Sequence, residues 1–263
     1  VAHYRPTTLF ESLLTAQRQF GADHLCAEDI EYKPLTYRQL IKRSLAVGRV
    51  LAKESNPKER IGILLPNALV TALSIMGASS QNRIPALLNY TAGVDGLQAA
   101  IDAANLKKVL TSRKFIEKAN LTEVIAELKG VEWLYAEDLP HKLSAIDKLW
   151  LLKTLTNPMK YLPKIDPNDE AVVLFTSGSE GKPKGVVHTH KSLLSNVEQL
   201  RTVADFTTQD KFMITLPLFH AFGLTVGTFL PLISGAKVFY YPSPLQYRVI
   251  PEVIYQTQAT VLF

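Results

Sequence analysis

The stretch Leu174–His190 reads LFTSGSEGKPKGVVHTH, and it sets three glycines, two lysines and a proline between two apolar runs. A loop that wraps a polyphosphate must bring backbone N–H groups close to the oxygens, and glycine allows that approach without a Cβ in the way. Thr176, Ser177 and Ser179 add hydroxyl donors, and Lys182 and Lys184 add charge for the stronger, charge-assisted bonds. Pro183 stiffens the approach to Lys184 and brings no N–H that would need a partner. A Walker A loop is excluded, because it needs four residues between its glycines, then Lys and Ser/Thr, and a helix directly after. Here the glycines at 178, 181 and 185 are spaced three and four apart, and strand-like GVVHT follows. The plainer alternative is a solvated Gly/Ser hairpin. Against it stands a run from Thr176 to Gly185 in which every position suits an anion.

Outward from this loop the chain alternates strand and helix. TLFESLLTAQRQFG predicts an amphipathic helix ending at Gly21, and HLCAEDIEYKPLTY a short hairpin. Thr36 and Gln39 have capping-box spacing at the head of a helix through LIKRSLAVGRVLAK. RIGILL, RIPALLN, KKVLTS and VEWLYA read as buried strands separated by helical stretches. After the loop come a helix from about Lys191 to Val203, strand KFMITLP, an apolar helix in GLTVGTFLPLIS and strand AKVFYY. A helix through YRVIPEVIYQTQ then precedes the strand-like run ATVLF. Continuous apolar strands alternating with helices predict an α/β fold with parallel sheet covered on both faces. The first α/β half is placed at about 1–150 and the second at about 169–263, with a linker over about 141–168. That linker, HKLSAIDKLWLLKTLTNPMKYLPK, is rich in Lys, Leu and Pro. Leu149, Leu152 and Leu155 are expected to pack on a neighbouring element, with contact to an anionic membrane surface as the alternative reading.

Composition narrows the function classes. With 47% hydrophobic and 20% charged residues the chain reads as an ordinary globular α/β protein. A net charge of +5 suits an anionic ligand or surface, but no Lys/Arg block interleaved with aromatics argues for nucleic acid. The lone Cys26 excludes an intramolecular disulfide. The longest membrane-like run, IGILLPNALVTALSIMGASS, is interrupted by Pro66 and Asn67. Because the chain stops in the strand-like run ATVLF, it is read as a piece of a longer protein.

FTSGSEGKPKG resembles the signature loop of the adenylate-forming superfamily, which includes acyl-CoA and acyl-ACP synthetases, luciferases and peptide-synthetase adenylation domains. The usual form has Thr-Thr or Ser-Thr before the second glycine, whereas this chain has Ser179-Glu180. With VVHTHKSLLSNVEQ, LPLFHAFGLTVG and YPSPLQYR, the variant is similar to the acyl-ACP synthetase part of bifunctional 2-acylglycerophosphoethanolamine acyltransferases. PLTYRQL and ILLPNALVTALSIMGASSQNRIPALLN also fit early segments of the superfamily. The resemblance implies a truncated N-terminal adenylation domain with two parallel-rich sheets and helices on both faces. It implies ATP and Mg²⁺ as cofactors, a fatty acid as substrate and acyl carrier protein as thiol acceptor. The alternatives are an acyl-CoA synthetase and a non-catalytic nucleotide- or lipid-binding module that has kept the loop. A lysophospholipid and a membrane surface, at the cytoplasmic side of an inner membrane, enter through the full-length protein. Thr176, Ser177, Gly178, Ser179, Glu180, Gly181, Lys182, Lys184 and Gly185 are then the phosphate-binding residues, with Lys184 as the catalytic, pyrophosphate-side charge. Glu180 is read as pairing with Lys182 or Lys184, as lying near the Mg²⁺, or as pointing into solvent. Phe219, His220 and Gly223 of PLFHAFG would border the acyl pocket. The superfamily's adenine, ribose and C-terminal lysine motifs are not found, so residues 1–263 alone are expected to be inactive.

Three other features are set aside. His188 and His190 flank Thr189, but no third metal ligand accompanies them. HLCAED, His24 to Asp29, has the H-x₄-D spacing of glycerolipid acyltransferases, yet it sits in the hairpin without partner motifs. There is no G-x-S-x-G elbow, and Cys26 lacks the surroundings of a nucleophile.

Overall fold

A computed structural model describes residues 7–177, 183–243 and 245–263. Helix α1 (Leu9–Phe20) opens on a capping box in which the Thr8 hydroxyl accepts from the Glu11 N–H and the Glu11 carboxylate accepts from the Thr8 N–H. Strands β1 (Leu25–Asp29) and β2 (Leu35–Thr36) form the expected hairpin, and Thr36 and Gln39 close a second capping box at the head of α2 (Tyr37–Glu54). β3 (Arg60–Ile63), α3 (Leu69–Ser80), β4 (Ile84–Leu87), α4 (Gly93–Ala103) and β5 (Lys108–Thr111) follow. Next come α5 (Arg113–Lys118), α6 (Thr122–Glu127), β6 (Glu132–Tyr135), α7 (Ala145–Thr156) and α8 (Pro158–Tyr161). The hairpin of β7 (Glu170–Ser177) and β8 (Pro183–Thr189) leads into α9 (His190–Val203) and β9 (Lys211–Ile214). Short helices α10 (Ala221–Leu224) and α11 (Leu230–Ser234) are joined by a π-helical turn. β10 (Lys237–Tyr240), α12 (Ile250–Thr257) and β11 (Val261–Leu262) complete the described chain.

The strands form two sheets, in the orders β6-β5-β3-β4-β7-β8 and β11-β9-β10-β1-β2. Each is parallel except for one antiparallel edge, β8 in the first and β2 in the second. The two parallel-rich sheets expected from the sequence are therefore present. Their membership does not follow the division near residue 150, because β1 of the first half pairs with β10 and β7 of the second pairs with β4. The parallel pairing of Ala27 with Val238 is a long-range contact, and the local pattern of either strand does not encode its partner.

The main core lies between the sheets. Ile61, Ile63 and Leu110 from one sheet and Phe212, Ile214 and Val238 from the other enclose the apolar faces of α1, α2, α3, α9 and α11. A second cluster covers the outer face of the first sheet with Leu97, Ile101 and Leu128, and a third packs Val253 of α12 on Met213 and Phe239. The layers thus run helix, sheet, helix, sheet, helix. Eleven of the twelve residues of α3 are buried, so this helix is apolar on nearly every side. That is the physical meaning of the membrane-like run. Among the described residues no helix is long and apolar enough to cross a membrane.

α2 and α3 cross at their glycines. A Cβ on Gly77 would lie 2.6 Å from the Ser44 carbonyl oxygen and 2.9 Å from the Gly48 nitrogen. α7, inside the expected linker, docks on α2 through Asp147, which accepts from Arg49 Nε at 2.8 Å and Lys53 Nζ at 3.0 Å. Burial opposes ionisation of Asp147, but the hydrogen bonds from Arg49, Lys53 and Ser144 outweigh it and hold the carboxyl well below the usual carboxylate range. These pairs set the rotation of α7 so that Asp147, Leu151 and Thr154 face inward. The expected packing of Leu149 and Leu152 is corrected by this: they are 52% and 61% exposed, and only Leu155 of the three rests against the core.

His190, at the start of α9, is 2% exposed, and its Nδ1 accepts a hydrogen bond from the Leu9 N–H at 3.2 Å, capping α1 from a distant part of the chain. Burial pulls its pKa down from 6.5 to about 4, with Asp169 opposing weakly. The unfolded chain therefore binds the extra proton first, and stability falls as pH drops from about 6.5 to about 4. We expect thermal unfolding to show that slope, and His190→Gln to flatten it. Gly77→Ala is expected to destabilise by about 1–3 kcal/mol, because overpacking against rigid backbone exceeds the gain of roughly 1 kcal/mol in helix propensity. Chemical denaturation measures the sign.

Candidate active site

β3, β4 and β7 run parallel, so the segments that follow them emerge along one edge of the sheet, the place where open α/β sheets collect ligands. Thr176 and Ser177 end β7 at this edge, and across the hairpin Thr176 stands opposite Lys184 and Phe175 opposite Gly185. The side chains of Thr176 and Lys184 are exposed. Gly178, Ser179, Glu180, Gly181 and Lys182 lie outside the described residues. Antiparallel closure of β7 on β8 thus presents Thr176 and Lys184 side by side at the mouth of the loop. It requires the strand-like GVVHT that distinguished this loop from a Walker A motif.

The second sheet brings its own edge to the same place. The segment after β3 carries Asn67, 2% exposed, whose Nδ2 donates to the carbonyls of Thr215 at 3.3 Å and Leu216 at 2.7 Å. Its Oδ1 accepts from the Leu218 N–H at 3.0 Å. All three partners belong to the segment that leaves β9 for α10, so one amide side chain ties the carboxyl ends of β3 and β9 together. Tyr90, after β4, reinforces the junction. Its ring meets Phe219 edge-on at 5.2 Å between centroids and Phe115 at the same distance. Burial pushes the Tyr90 phenol pKa up, so it stays neutral there.

Phe219 is 7% exposed, and its ring lies 4.7 Å from that of the exposed His220, the N-cap of α10. The structure therefore sets Thr176 opposite Lys184 at the end of β7 and Phe219 beside His220 after β9, and Asn67 and Tyr90 join the latter segment to the ends of β3 and β4 in the sheet that holds β7. Gly223 serves the approach of backbone to backbone, since a Cβ there would collide with the Pro217 carbonyl. The segment carrying His220 folds back on α10 only because position 223 is bare. Asn67 was visible in the sequence merely as a break in an apolar run. A polar residue inside such a run, directly after a strand, was the signal available for it.

The features set aside from the sequence have structural employment. Asp29 accepts from the Leu69 N–H at 3.0 Å and so caps α3, while His24 at the other end of β1 bonds the Gly235 carbonyl through Nε2. Burial pushes the Cys26 thiol pKa far up and disfavours its thiolate. Among the described residues no three His, Cys, Asp or Glu side chains converge on a metal position. A cleft of about 570 Å³ opens at the opposite, amino end of the first sheet, lined by Lys58, Arg60, Asp169 and Glu170. Two of its cations are already paired, Lys58 with Asp169 and Arg60 with Glu170.

Comparison with known proteins bears on the family and the fold. Among curated relatives, the medium-chain-fatty-acid–[acyl-carrier-protein] ligase JamA of Moorena producens is 25% identical over 84% of this chain and 36% of its own. Fatty acyl-CoA synthetase A of Dictyostelium discoideum is 28% identical over 80% of this chain and 33% of its own. The chain thus spans about a third of the length of these relatives. Among solved structures, VinN with L-aspartate superposes with a TM-score of 0.80 at 20% identity, over 98% of this chain and 66% of that one. The N-terminal domain of FACL13 from Mycobacterium tuberculosis gives 0.79 at 18% identity, over 97% and 62%. These two likenesses speak to the fold. The family model for AMP-binding enzymes matches residues 14–263, and the chain belongs to that adenylate-forming family.

Proposed function

We propose that the intact protein activates a fatty acid with ATP and passes the acyl group to the phosphopantetheine thiol of an acyl carrier protein. A carboxylate oxygen attacks the α-phosphorus, the bond to the bridging oxygen breaks, and pyrophosphate leaves. The thiol sulfur then attacks the acyl carbon, its proton going to solvent, and AMP departs. Charge builds on the phosphate oxygens in the first step, so the protein must supply fixed cations and oriented donors. The observation that carries the reading is the shared edge: Thr176 and Lys184 stand at the mouth of the glycine loop, and the His220 segment is tied to the same edge by Asn67. Lys184 would hold the pyrophosphate-side charge, and the Thr176 hydroxyl would donate to a phosphate oxygen. Phe219 and His220 would border the acyl chain and its carboxylate. Mg²⁺ would arrive with the nucleotide, held mainly by phosphate oxygens and water, as suits a cation that dehydrates reluctantly.

The carrier-protein acceptor is supported by the name of the Moorena producens relative and by the Ser179-Glu180 variant of the loop. That variant also motivates the finer reading of a synthetase fused to a 2-acylglycerophosphoethanolamine acyltransferase, with a lysophospholipid as final acceptor. The Dictyostelium discoideum relative favours coenzyme A as acceptor instead. Assaying the two thiols side by side distinguishes them.

We expect the intact protein to catalyse fatty-acid-dependent ATP–pyrophosphate exchange, and Lys184→Ala to lower it about 100-fold or more. Unchanged exchange in the variant would remove Lys184 from the site, and no exchange with any fatty acid would overturn the reading. Asn67→Ala is expected to raise KM for the fatty acid and to cost about 1–3 kcal/mol of stability by leaving the Leu218 N–H and two carbonyls unpaired. Steady-state kinetics beside thermal unfolding check both.

A further inference from the structure

α7 presents an apolar row to solvent. Ile146, Leu149 and Leu152 follow one another at three-residue spacing on the face turned away from α2, and they are 74%, 52% and 61% exposed. The rotation is not accidental. The ion pairs of Asp147 with Arg49 and Lys53 hold the opposite face down, and Arg49 also lies 4.9 Å over the Trp150 ring. The helix cannot turn its leucines inward without breaking a buried, doubly paired carboxylate, a change that is strongly destabilising.

Along this segment the exposed Asp, Glu, Lys and Arg side chains are all lysines. Between residues 141 and 164 the chain carries Lys142, Lys148, Lys153, Lys160 and Lys164, and its single acidic residue is Asp147. Asp147 is buried and spent on α2, and Lys142 pairs with Glu54 at 2.6 Å. Lys148 and Lys153 sit beside the leucines on α7 itself, both exposed. Their long stems let the ammonium groups reach past an apolar surface while the leucines enter it. Exposed Met159 and Lys160 continue the same composition on α8.

We propose that this face of α7 is a docking surface for an anionic lipid bilayer. The choice over a protein partner rests on charge complementarity. Lysine is depleted from the cores of protein interfaces, whereas leucines bordered by lysines are what the headgroup boundary of an anionic membrane selects. The helix would lie in the plane of the interface, with the three apolar side chains below the phosphates and the lysines among them. The protein would thereby work beside the bilayer, where long-chain acids partition, without a membrane-spanning element in this part of the chain.

The test is flotation of the intact protein with vesicles of phosphatidylcholine alone and of phosphatidylcholine containing about one third phosphatidylglycerol. Binding to the anionic vesicles, released by salt, is expected. Both Ile146→Ser/Leu149→Ser/Leu152→Ser and Lys148→Glu/Lys153→Glu should lower the bound fraction about tenfold or more, with thermal unfolding unchanged because these side chains lie in solvent. Three results would overturn the proposal. They are failure of the unaltered protein to bind anionic vesicles, undiminished binding by the serine variant, and a dimer in sedimentation that the serine variant dissociates. The last would assign the face to a second copy of the chain.

Discussion

The Asn67 side chain makes three hydrogen bonds to the segment that leaves β9, and the arrangement of the site depends on them. Two parallel sheets separated by a layer of helices have no backbone hydrogen bonds in common, so their relative placement rests on packing, which is nondirectional. A buried amide that satisfies both its donor and acceptor capacity is directional, and it is costly to leave unpaired. Asn67 therefore converts a loose apposition of two sheets into a defined junction at their carboxyl ends. Tyr90 against Phe219 fills the adjoining space.

The junction explains why the site needs residues from so many parts of the chain. Thr176 and Lys184 come from a hairpin at one edge of the first sheet, and His220 comes from the second sheet. The hairpin belongs to one sheet and the His220 segment to the other. The buried α3 is the spacer between them, and its crossing with α2 at Gly48 and Gly77 sets how closely the helical layer packs. Asp29, which looked like part of an acyltransferase signature, is employed in fixing the start of that helix.

α7 illustrates how one buried, doubly paired carboxylate decides the character of a surface. The alternation of leucine and lysine in this segment is compatible with a buried or an exposed apolar row. The partners of Asp147 are on α2, nearly a hundred residues earlier, and they choose which side of α7 the core receives. Leu151 goes in, and Leu149 and Leu152 stay out.

Much of the local structure was legible in the residues. The capping box at Thr36 and the stop at Gly21 mark helix ends because they satisfy orphan backbone groups locally, and the structure has both. The strand expected after the glycine loop, which separates it from a Walker A motif, is present as β8. What the sequence by itself determined was the α/β alternation, the caps and the strand that follows the glycine loop, all set by neighbours within a few residues. What only the tertiary structure decided was the exchange of strands between the two sheets, the clamp at Asn67, the seat of His190 against α1 and the outward turn of Leu149 and Leu152. Each of these joins groups tens to hundreds of residues apart, and a local pattern carries no record of which distant partner will meet it.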